Sequence, residues 1–315
     1  MILIIFLFLL IWFFTLKEGF NLRKKEYDSF FERNHIYNDK ENSTLTYKNK
    51  TVTYKGLNKD TYINEKSIVK KLLIEHGIPT ANYYIWNPAI SNDDNLSNIT
   101  MNRPLVIKPD IGEKGLNVTT DVMQDEDIIK KVNKIIAMKK TVLIEEQIQG
   151  YKEYRITVLN DVVIGATEKI SASVKGDGKS TILELIDNYN KSIKLYKIHT
   201  VDYDYIKQQG YKKYDVLPNG VKLKLTNVAN MSNGSHIQTV DLNSIDPMNI
   251  MLFKNIHTLL NYKVSGIDYL GDLSVPYILM GSVIEVNPEP GINIHYNVVK
   301  NKDTFLKTIV DNLFK

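Results

Sequence analysis

The fold of this chain is decided by one stretch late in the sequence, Val283-Ile284-Glu285-Val286-Asn287-Pro288-Glu289-Pro290-Gly291. Its alternating pattern predicts a short buried strand that places Glu285 and Asn287 on the same face. A carboxylate and an amide at the end of an apolar strand are costly to bury unless a partner or ligand uses them. The stretch therefore marks a candidate binding site.

A second strand of the same kind lies just upstream, Val264-Ser265-Gly266-Ile267-Asp268, and it also ends in an acid. Asp268, Glu285 and Asn287 together offer hard oxygen ligands from two strands. Mg²⁺ takes such a set, with nucleotide phosphates completing its coordination. For Glu285 alone, a strand-end acid satisfied by loop amides is the favoured interpretation. The set of three favours a metal–nucleotide site.

The bulk properties are those of a globular protein. The 315 residues are 43% hydrophobic and 24% charged, with a formal net charge of +4 and no cysteine. The chain is long enough for one large or two ordinary domains. The small, scattered positive charge argues against nucleic acid as a partner. The absence of cysteine excludes disulfides, thiolate metal sites and cysteine nucleophiles.

The first residues, Met1 to Leu16, are almost wholly apolar and are followed by Lys17 and by Arg23 to Lys25. This pattern predicts a single-pass transmembrane anchor over residues 1–16, with the N-terminus outside and the rest of the chain in the cytoplasm. A cleavable signal peptide is the competing interpretation, but a basic n-region and a small-residue cleavage site are not visible.

Residues 17–63 are polar and weakly patterned, so we expect a tether and short N-terminal segment. A hairpin is predicted within it, pairing Leu45–Tyr47 with Val52–Tyr54. Residues 64–315 form the predicted main domain. Its first element is a helix ending at Gly77, with Lys66 in the first turn.

A candidate phosphate loop follows an apolar strand that contains Lys108. In Asp110-Ile111-Gly112-Glu113-Lys114-Gly115-Leu116-Asn117-Val118, two glycines three residues apart free the backbone to turn its N–H groups toward an anion. A lysine just before such a loop suits a phosphate. The signal is weak by itself, and the spacing is not that of a Walker A loop.

Acidic residues gather at the ends of the next strands. Glu145 and Glu146 end the strand that leads to Ile148, and Glu153 and Arg155 begin a predicted hairpin that turns at Asn160-Asp161. Carboxylates there can accept hydrogen bonds from an adenine amino group and from ribose hydroxyls. From composition alone, a surface charge cluster is the favoured interpretation.

The order of these motifs resembles that of the ATP-grasp ligases. Gly176-Asp177-Gly178-Lys179-Ser180-Thr181-Ile182, Asn230-Met231-Ser232-Asn233-Gly234 and the Ile284–Asn287 stretch with Pro290-Gly291 and His295 are similar to motifs of cyanophycin synthetases and bifunctional glutathione synthetases. The similarity covers about Asn64 to Phe314. It implies an α+β ATP-grasp fold, two subdomains clasping ATP, preceded here by the transmembrane helix.

The resemblance also implies a role for individual residues. Lys66 and Lys108 would meet the phosphates, under a mobile loop made by Gly112, Lys114 and Gly115. Glu145, Glu146 and Ile148 would hold adenine, and Glu153 the ribose. Asp268, Glu285 and Asn287 would bind Mg²⁺, with two ions expected and Mn²⁺ as a substitute. Arg155 and Lys169 would stabilise the transferring phosphate as catalytic residues.

The activity implied is ATP-dependent ligation of a small-molecule carboxylate to an amine, such as an amino acid or peptide, through an acyl phosphate. The oligomeric state and both substrates stay open. Two departures touch the loops: Asn117 stands where the family has glycine, and the family's NLSTGG appears as Asn-Met-Ser-Asn-Gly-Ser. They motivate an alternative, a catalytically silent nucleotide-binding module tethered to a membrane. A lone ATP-grasp unit is expected, without the other domains of cyanophycin synthetases. Secretion is disfavoured, because a glycan on the sequon at Asn117 would obstruct the loop.

Overall fold

A computed structural model describes residues 20–39, 42, 44–53, 57–58, 60–112, 115–192, 197–199, 201–226 and 235–315. The strands are β1 (Tyr37–Asp39), β2 (Thr44–Tyr47), β3 (Lys50–Thr53), β4 (Tyr83–Ile85), β5 (Leu105–Pro109), β6 (Thr119–Val122), β7 (Val142–Glu146), β8 (Lys152–Leu159), β9 (Val162–Ile170), β10 (Ser173–Lys175), β11 (Lys222–Lys224), β12 (His236–Thr239), β13 (Val264–Gly271) and β14 (Gly281–Asn287). The helices are α1 (Phe20–Arg33), α2 (Lys66–Glu75), α3 (Asn92–Ser97), α4 (Asp125–Ile136), α5 (Ile182–Ser192), α6 (Tyr203–Gln208), α7 (Pro247–Leu259), α8 (Asn293–Tyr296) and α9 (Lys302–Leu313).

The N-terminal segment is folded onto the main domain. Helix α1 and the small antiparallel sheet β1-β2-β3 share a hydrophobic core with the last helix, α9. Buried residues of this core include Phe30 and Phe31 from α1 and Phe305 and Ile309 from α9. The prediction of a tether over residues 17–63 is therefore wrong for this part of the chain. The segment is polar on average, so its composition did not indicate that its aromatic side chains pack against α9, which lies far away in the sequence.

The predicted hairpin in this segment is confirmed for its described residues. Leu45 pairs with Val52 and Tyr47 with Lys50 across the turn between β2 and β3, whereas Tyr54 lies outside the described residues. The predicted anchor over residues 1–16 also lies outside them. Among the helices that the structure describes, none is long and apolar enough to cross a membrane.

The first sheet of the main domain has the order β4-β7-β5-β6, and its neighbouring strands are antiparallel. Helix α4 covers it through Ile128, Val132 and Ile135. These residues recur at helical spacing, which is why the sequence predicts the helix and its buried side. From the same spacing the sequence predicts a helix over Asp125 to Met138 with Ile136 on its buried side, but Ile136 is 37% exposed because it lies at the edge of that stripe.

The stretch from Asn87 to Asn102 is polar, and its sequence predicts a loop, but helix α3 lies within it. Its N-cap is Ser91, whose hydroxyl accepts from the Asp94 backbone N–H at 3.0 Å. Asn95 is fully buried and hydrogen-bonds the backbone around Asn87. The Ser91 cap and the buried Asn95 amide stabilise this short helix. It has no apolar stripe, so the spacing of hydrophobic residues in the sequence could not predict it.

The second sheet has the order β12-β9-β8-β13-β14, and every neighbouring pair is antiparallel. The predicted turn at Asn160 and Asp161 joins β8 to β9, with φ of 45° and 62°. Both residues belong to types that tolerate this left-handed region. One face of the sheet packs on α7 through apolar residues such as Ile267 and Phe253.

The other face of the second sheet is polar near its centre. Antiparallel register places Glu285, Asp268 and Arg155 in one row across β14, β13 and β8. Asn287 lies in the next row, opposite Gly266. Between β9 and β12 the chain forms a satellite unit of β10, β11, α5 and α6 with its own small core. The fold thus presents a charged face of one sheet toward the other sheet.

Candidate active site

A cleft of about 830 Å³ lies between the two sheets of the main domain. Its lining contains all the described residues that the sequence assigns to the site, namely Lys66, Lys108, Gly112, Gly115, Glu145, Glu146, Ile148, Glu153, Arg155, Lys169, Asp268, Glu285 and Asn287. Lys114 lies outside the described residues. Residues separated by more than 200 positions in the chain are therefore brought to one place.

The first wall of the cleft contains a buried group that we call the lysine triad, made of Lys70, Lys108 and Glu145. The Glu145 carboxylate lies 2.8 Å from Lys108 Nζ and 3.3 Å from Lys70 Nζ. Lys70 and Glu145 are each only 2% exposed. Two ammonium groups around one carboxylate leave a net charge of +1, which suits an anion such as a phosphate.

Burial and pairing shift the pKa values within the triad. Burial lowers the pKa of Lys70 to about 8, against the opposing attraction of Glu145. For Glu145, burial acts to raise the pKa, but Lys108 and Lys70 outweigh it and hold the pKa below its usual value. The carboxylate is therefore ionised at neutral pH and fixes the position of Lys108.

Lys70 was not among the residues predicted from the sequence. It lies four residues after Lys66 on α2, so both project from the same side of the helix. It also donates to Thr80 Oγ1 at 2.9 Å. The spacing of two lysines along a helix facing the glycine loop was the signal available, but it does not distinguish a buried lysine from a solvated one.

The second wall contains a group that we call the aspartate cluster, centred on Asp268. Its carboxylate accepts two hydrogen bonds from Arg155, at 2.7 and 2.8 Å, and lies 2.8 Å from Lys169 Nζ. Lys169 also donates to Glu153 at 2.7 Å. The catalytic pair expected from the sequence, Arg155 and Lys169, thus meets the expected metal ligand directly.

The charges of the aspartate cluster stabilise one another. Burial acts to raise the pKa of Asp268, but Arg155 and Lys169 lower it well below its usual range. Burial acts to lower the pKa of Lys169, yet Asp268 and Glu153 raise it above its ordinary value. The groups remain ionised over the physiological pH range.

Glu285 and Asn287 extend this cluster toward the cleft. The Glu285 side chain is 28% exposed and lies 3.4 Å from Lys66 Nζ. In the orientation that its neighbours favour, the Asn287 amide donates to Glu285 at 3.3 Å and accepts from Arg155 at 3.1 Å. Lys66 also donates to the Gly112 carbonyl at 2.8 Å, so it joins this wall to the glycine loop.

The donor set fits a divalent cation in its chemistry. Asp268, Glu285 and Asn287 lie on one face of adjacent strands and offer the hard oxygens that Mg²⁺ prefers. The described part of the chain contains no group of three His, Cys, Asp or Glu side chains placed to hold a metal ion, and the third donor of the present set is the Asn287 amide. Both oxygens of Asp268 are engaged by cations, whereas Glu285 faces the cleft.

The three residues that the resemblance assigns to adenine, Glu145, Glu146 and Ile148, lie in different surroundings. Glu145 belongs to the buried triad, which places it with the phosphate lysine rather than at the rim. Glu146 accepts from Asn82 at 2.9 Å and from Asn102 at 3.1 Å, and Ile148 follows it along the cleft. Adenine contact by Glu146 and Ile148, and ribose contact by Glu153, stay predictions.

The glycine loop retains its backbone shape despite the departure at Asn117. Gly115 has φ of 66° and Asn117 has φ of 59°, both in the left-handed region. Asparagine is among the few non-glycine residues that adopt this conformation readily. Asn117 therefore adopts a backbone conformation that glycine also adopts readily.

Comparisons with known proteins support an ATP-grasp fold for the two α+β units that form this cleft. Residues 63–184 match the family model described as RimK-like ATP-grasp domain. The chain thus carries a RimK-like ATP-grasp domain and is homologous to cyanophycin synthetases and bifunctional glutathione synthetases.

Similarity to individual relatives extends beyond the matched range. The chain is 27% identical over 244 residues to a cyanophycin synthetase from Trichormus variabilis, which covers 73% of this chain and 27% of that protein. It is 27% identical over 236 residues to a glutathione biosynthesis bifunctional protein from Streptococcus mutans, covering 67% of this chain and 30% of that protein. The matched part thus spans about a third or less of either relative.

A solved structure supports the fold. The crystal structure of a bifunctional glutathione synthetase from Pasteurella multocida superposes with a TM-score of 0.56 at 22% identity, over 88% of this chain and 40% of that chain. This likeness confirms the α+β ATP-grasp fold that the sequence predicts.

Proposed function

We propose that this protein is an ATP- and Mg²⁺-dependent ligase that joins a carboxylate to an amine through an acyl phosphate. One observation carries the proposal: Lys108 and Glu145 of the lysine triad line the same 830 Å³ cleft as the metal-suited Asp268, Glu285 and Asn287. A triphosphate with its metal ion needs both kinds of wall. The relatives named cyanophycin synthetase and glutathione biosynthesis bifunctional protein support the same class of reaction.

The residues of the cleft would have different roles in phosphate binding and in phosphoryl transfer. Lys108, held by Glu145, would bind the phosphates, and Lys66 would close the glycine loop over them. Arg155 and Lys169 would stabilise the phosphoryl group as it transfers. Catalysis would rest on positioning and charge neutralisation, which is how enzymes accelerate phosphoryl transfer.

The covalent steps follow from this arrangement. A substrate carboxylate oxygen would attack the terminal phosphorus of ATP, and the bond to the bridging oxygen would break to release ADP. The amine nitrogen would then attack the acyl carbon, lose its proton and expel phosphate with the bonding electrons. Asp268, Glu285 and Asn287 would hold Mg²⁺, which neutralises charge on the phosphates when bound.

The test is release of ADP by the full chain with ATP, Mg²⁺ and a panel of carboxylates, amino acids and short peptides. We expect release that needs one carboxylate and one amine and stops when EDTA removes the metal. Adding hydroxylamine in place of the amine should yield a hydroxamate, which identifies the acyl phosphate. Nucleotide binding without ADP release across the panel would favour the silent module instead.

We further propose that residues 1–16 anchor this ligase in a membrane with the domain on the cytoplasmic side. The supporting observation is the apolar run of the first 16 residues followed by basic ones. A fusion of the full chain to a reporter active only in the cytoplasm, followed by carbonate extraction of membranes, tests it. Release of the protein by carbonate, or an inactive reporter, would contradict the anchor.

A further inference from the structure

Asn58 lies in the segment predicted as a tether, five residues before the range that matches the family model. It is nevertheless buried, with 2% exposure. Its Nδ2 donates to the Val264 carbonyl at 2.7 Å and to the Pro288 carbonyl, and its Oδ1 accepts from the Lys263 backbone N–H at 2.7 Å. One side chain therefore ties three backbone groups together.

The three groups lie at the ends of the two strands that carry the metal-ligand candidates, β13 and β14. Val264 begins β13, which continues to Asp268, and Pro288 follows directly on Asn287 at the end of β14. The β13–β14 ladder ends at the pair Gly266–Asn287. Proline has no N–H and cannot extend the ladder. Asn58 thus supplies a hydrogen bond where the sheet itself cannot.

The chain after Asn287 and the Arg155 side chain both lie against Gly266. We call residues 288–296 the exit segment. A methyl group placed on Gly266 would lie 2.5 Å from Pro290 Cβ and 3.3 Å from Arg155 Nη1, so these three groups share one tight space. Moving Pro288 would move Pro290 and, with it, the guanidinium that holds Asp268.

The far end of the exit segment is held in the same way. His295 is buried against Gly165 and hydrogen-bonds Thr157 at 2.7 Å. The Tyr296 hydroxyl donates to Glu26 at 2.7 Å, a residue of α1. Both ends of the segment therefore contact the part of the chain that precedes the matched family range.

From this geometry we propose that Asn58 is a positioning residue of the site. It fixes Asn287 and the exit segment so that Glu285, Asn287 and Arg155 keep their places for Mg²⁺ and phosphate. The N-terminal segment would then help to position the side chains of the site, in addition to preceding the main domain in the chain. The proposal rests on the proposed function for the identity of the ligand.

The test compares two buried asparagines that make the same kind of clamp. Asn249 is also fully buried and donates to the Leu273 and Val275 carbonyls at 3.0 and 2.8 Å, but it lies on α7, on the other face of the sheet. Asn58→Asp and Asn249→Asp each remove two such donors. Asn58→Ala serves as a second variant if the aspartate prevents folding.

For each full-length variant we would measure the Kd for Mg²⁺·ATP, the melting temperature and hydrogen exchange of residues 284–296. We expect Asn58→Asp to weaken Mg²⁺·ATP binding about tenfold, as loss of supporting groups around metal ligands does. Exchange of residues 284–296 should become faster. Asn249→Asp should lower the melting temperature while leaving both of the other values within about twofold of the wild type.

Equal effects of the two substitutions on binding and exchange would overturn the proposal, because Asn58 would then act only on general stability. If the wild type fails to bind Mg²⁺·ATP, the proposed function fails. The positioning role is then decided by exchange alone, which must respond to Asn58→Asp, or to Asn58→Ala, and not to Asn249→Asp.

Discussion

The lysine triad and the aspartate cluster lie on the two walls of one cleft, but they differ in burial and in the balance of charge. The triad is buried and has more positive than negative groups. The aspartate cluster combines Arg155 and Lys169 with Asp268, Glu153 and the partly exposed Glu285, so acids outnumber the bases. A buried, positively charged wall suits a phosphate held in a fixed position. A more solvent-exposed, acidic wall suits a cation that binds and dissociates with the nucleotide.

The two walls are connected by side chains that reach both. Lys66 touches the glycine loop carbonyl and Glu285, and Thr80 accepts from Lys70 while donating to the Val283 carbonyl at 2.7 Å. These contacts connect helix α2, which carries both lysines, to strand β14 of the second sheet. The comparison predicts that damage to the aspartate cluster affects chemistry most, whereas damage to the triad affects binding.

The largest effect is expected from Asp268→Asn. The change leaves Arg155 and Lys169 buried without their shared carboxylate, so ADP release should fall at least about a hundredfold. The free energy of unfolding should fall by about 3 kcal/mol, because breaking a buried ion pair leaves charge uncompensated. ADP release assays and denaturant unfolding measure the two effects.

Asp272→Asn is the matched control for Asp268, since Asp272 lies just past the same strand and its carboxylate accepts hydrogen bonds from Ser274. It should leave ADP release within about twofold of the wild type, as surface changes do. Wild-type ADP release by Asp268→Asn would contradict the metal assignment.

Lys108→Ala should act on binding. It removes a charge-assisted contact to phosphate worth about 1.5–3 kcal/mol, which corresponds to a rise of about tenfold to a hundredfold in the Kd for ATP. The fold should be kept, because Lys70 still pairs with Glu145. Calorimetric titration with ATP and circular dichroism measure affinity and fold, and Lys134→Ala on the exposed side of α4 is the control. An unchanged Kd would remove Lys108 from the site.

Lys70→Met tests whether the triad works by net charge. The substitution makes the triad neutral, so ATP affinity should fall about fivefold, the effect of roughly 1 kcal/mol. In the wild type, the affinity should also decline as pH rises through about 8, where Lys70 loses its proton. Titrations between pH 6.5 and 9.5 check this, and the decline near pH 8 should be absent in Lys70→Met. A decline of equal size in both proteins would assign it to another group.

The lowered pKa of Lys70 also predicts how the free energy of unfolding depends on pH. The folded pKa of Lys70 is about 8 and lies below the usual value of a lysine in an unfolded chain. Between the two values the unfolded chain binds more protons, so stability should rise with pH above about 8. The Lys70→Met protein should show a smaller rise in denaturant unfolding over that range. An identical pH dependence in both would contradict the burial of a charged Lys70.

The smallest effect is expected from Lys66→Met. Its ammonium lies 3.4 Å from a partly exposed Glu285, and such pairs contribute about 1 kcal/mol or less. The Kd for ATP should rise by no more than about fivefold. A loss as large as that of Lys108→Ala would mean that the glycine loop, rather than the triad, dominates phosphate binding.

Alternation and spacing allowed much of this site to be predicted. The period of two in β14 placed Glu285 and Asn287 on one face, and the structure has both facing the cleft with Asp268 opposite Glu285. The order of motifs along the chain indicated the family. Neither kind of signal could reveal Lys70 or Asn58, because a lysine on a helix and an asparagine in a polar segment are ordinary surface residues until something buries them.

The sequence by itself determined the two strands that carry Asp268 and Glu285, the polar face of the second of them, and the class of protein to which the chain belongs. These properties follow from local periodicity and from motifs that are short and ordered. Only the tertiary structure decided that α1 packs on α9, that Glu145 belongs with two lysines, and that Asn58 clamps β13 to the exit from β14. Each of these depends on contacts between residues far apart in the chain, whose burial and charge shifts have no local signature.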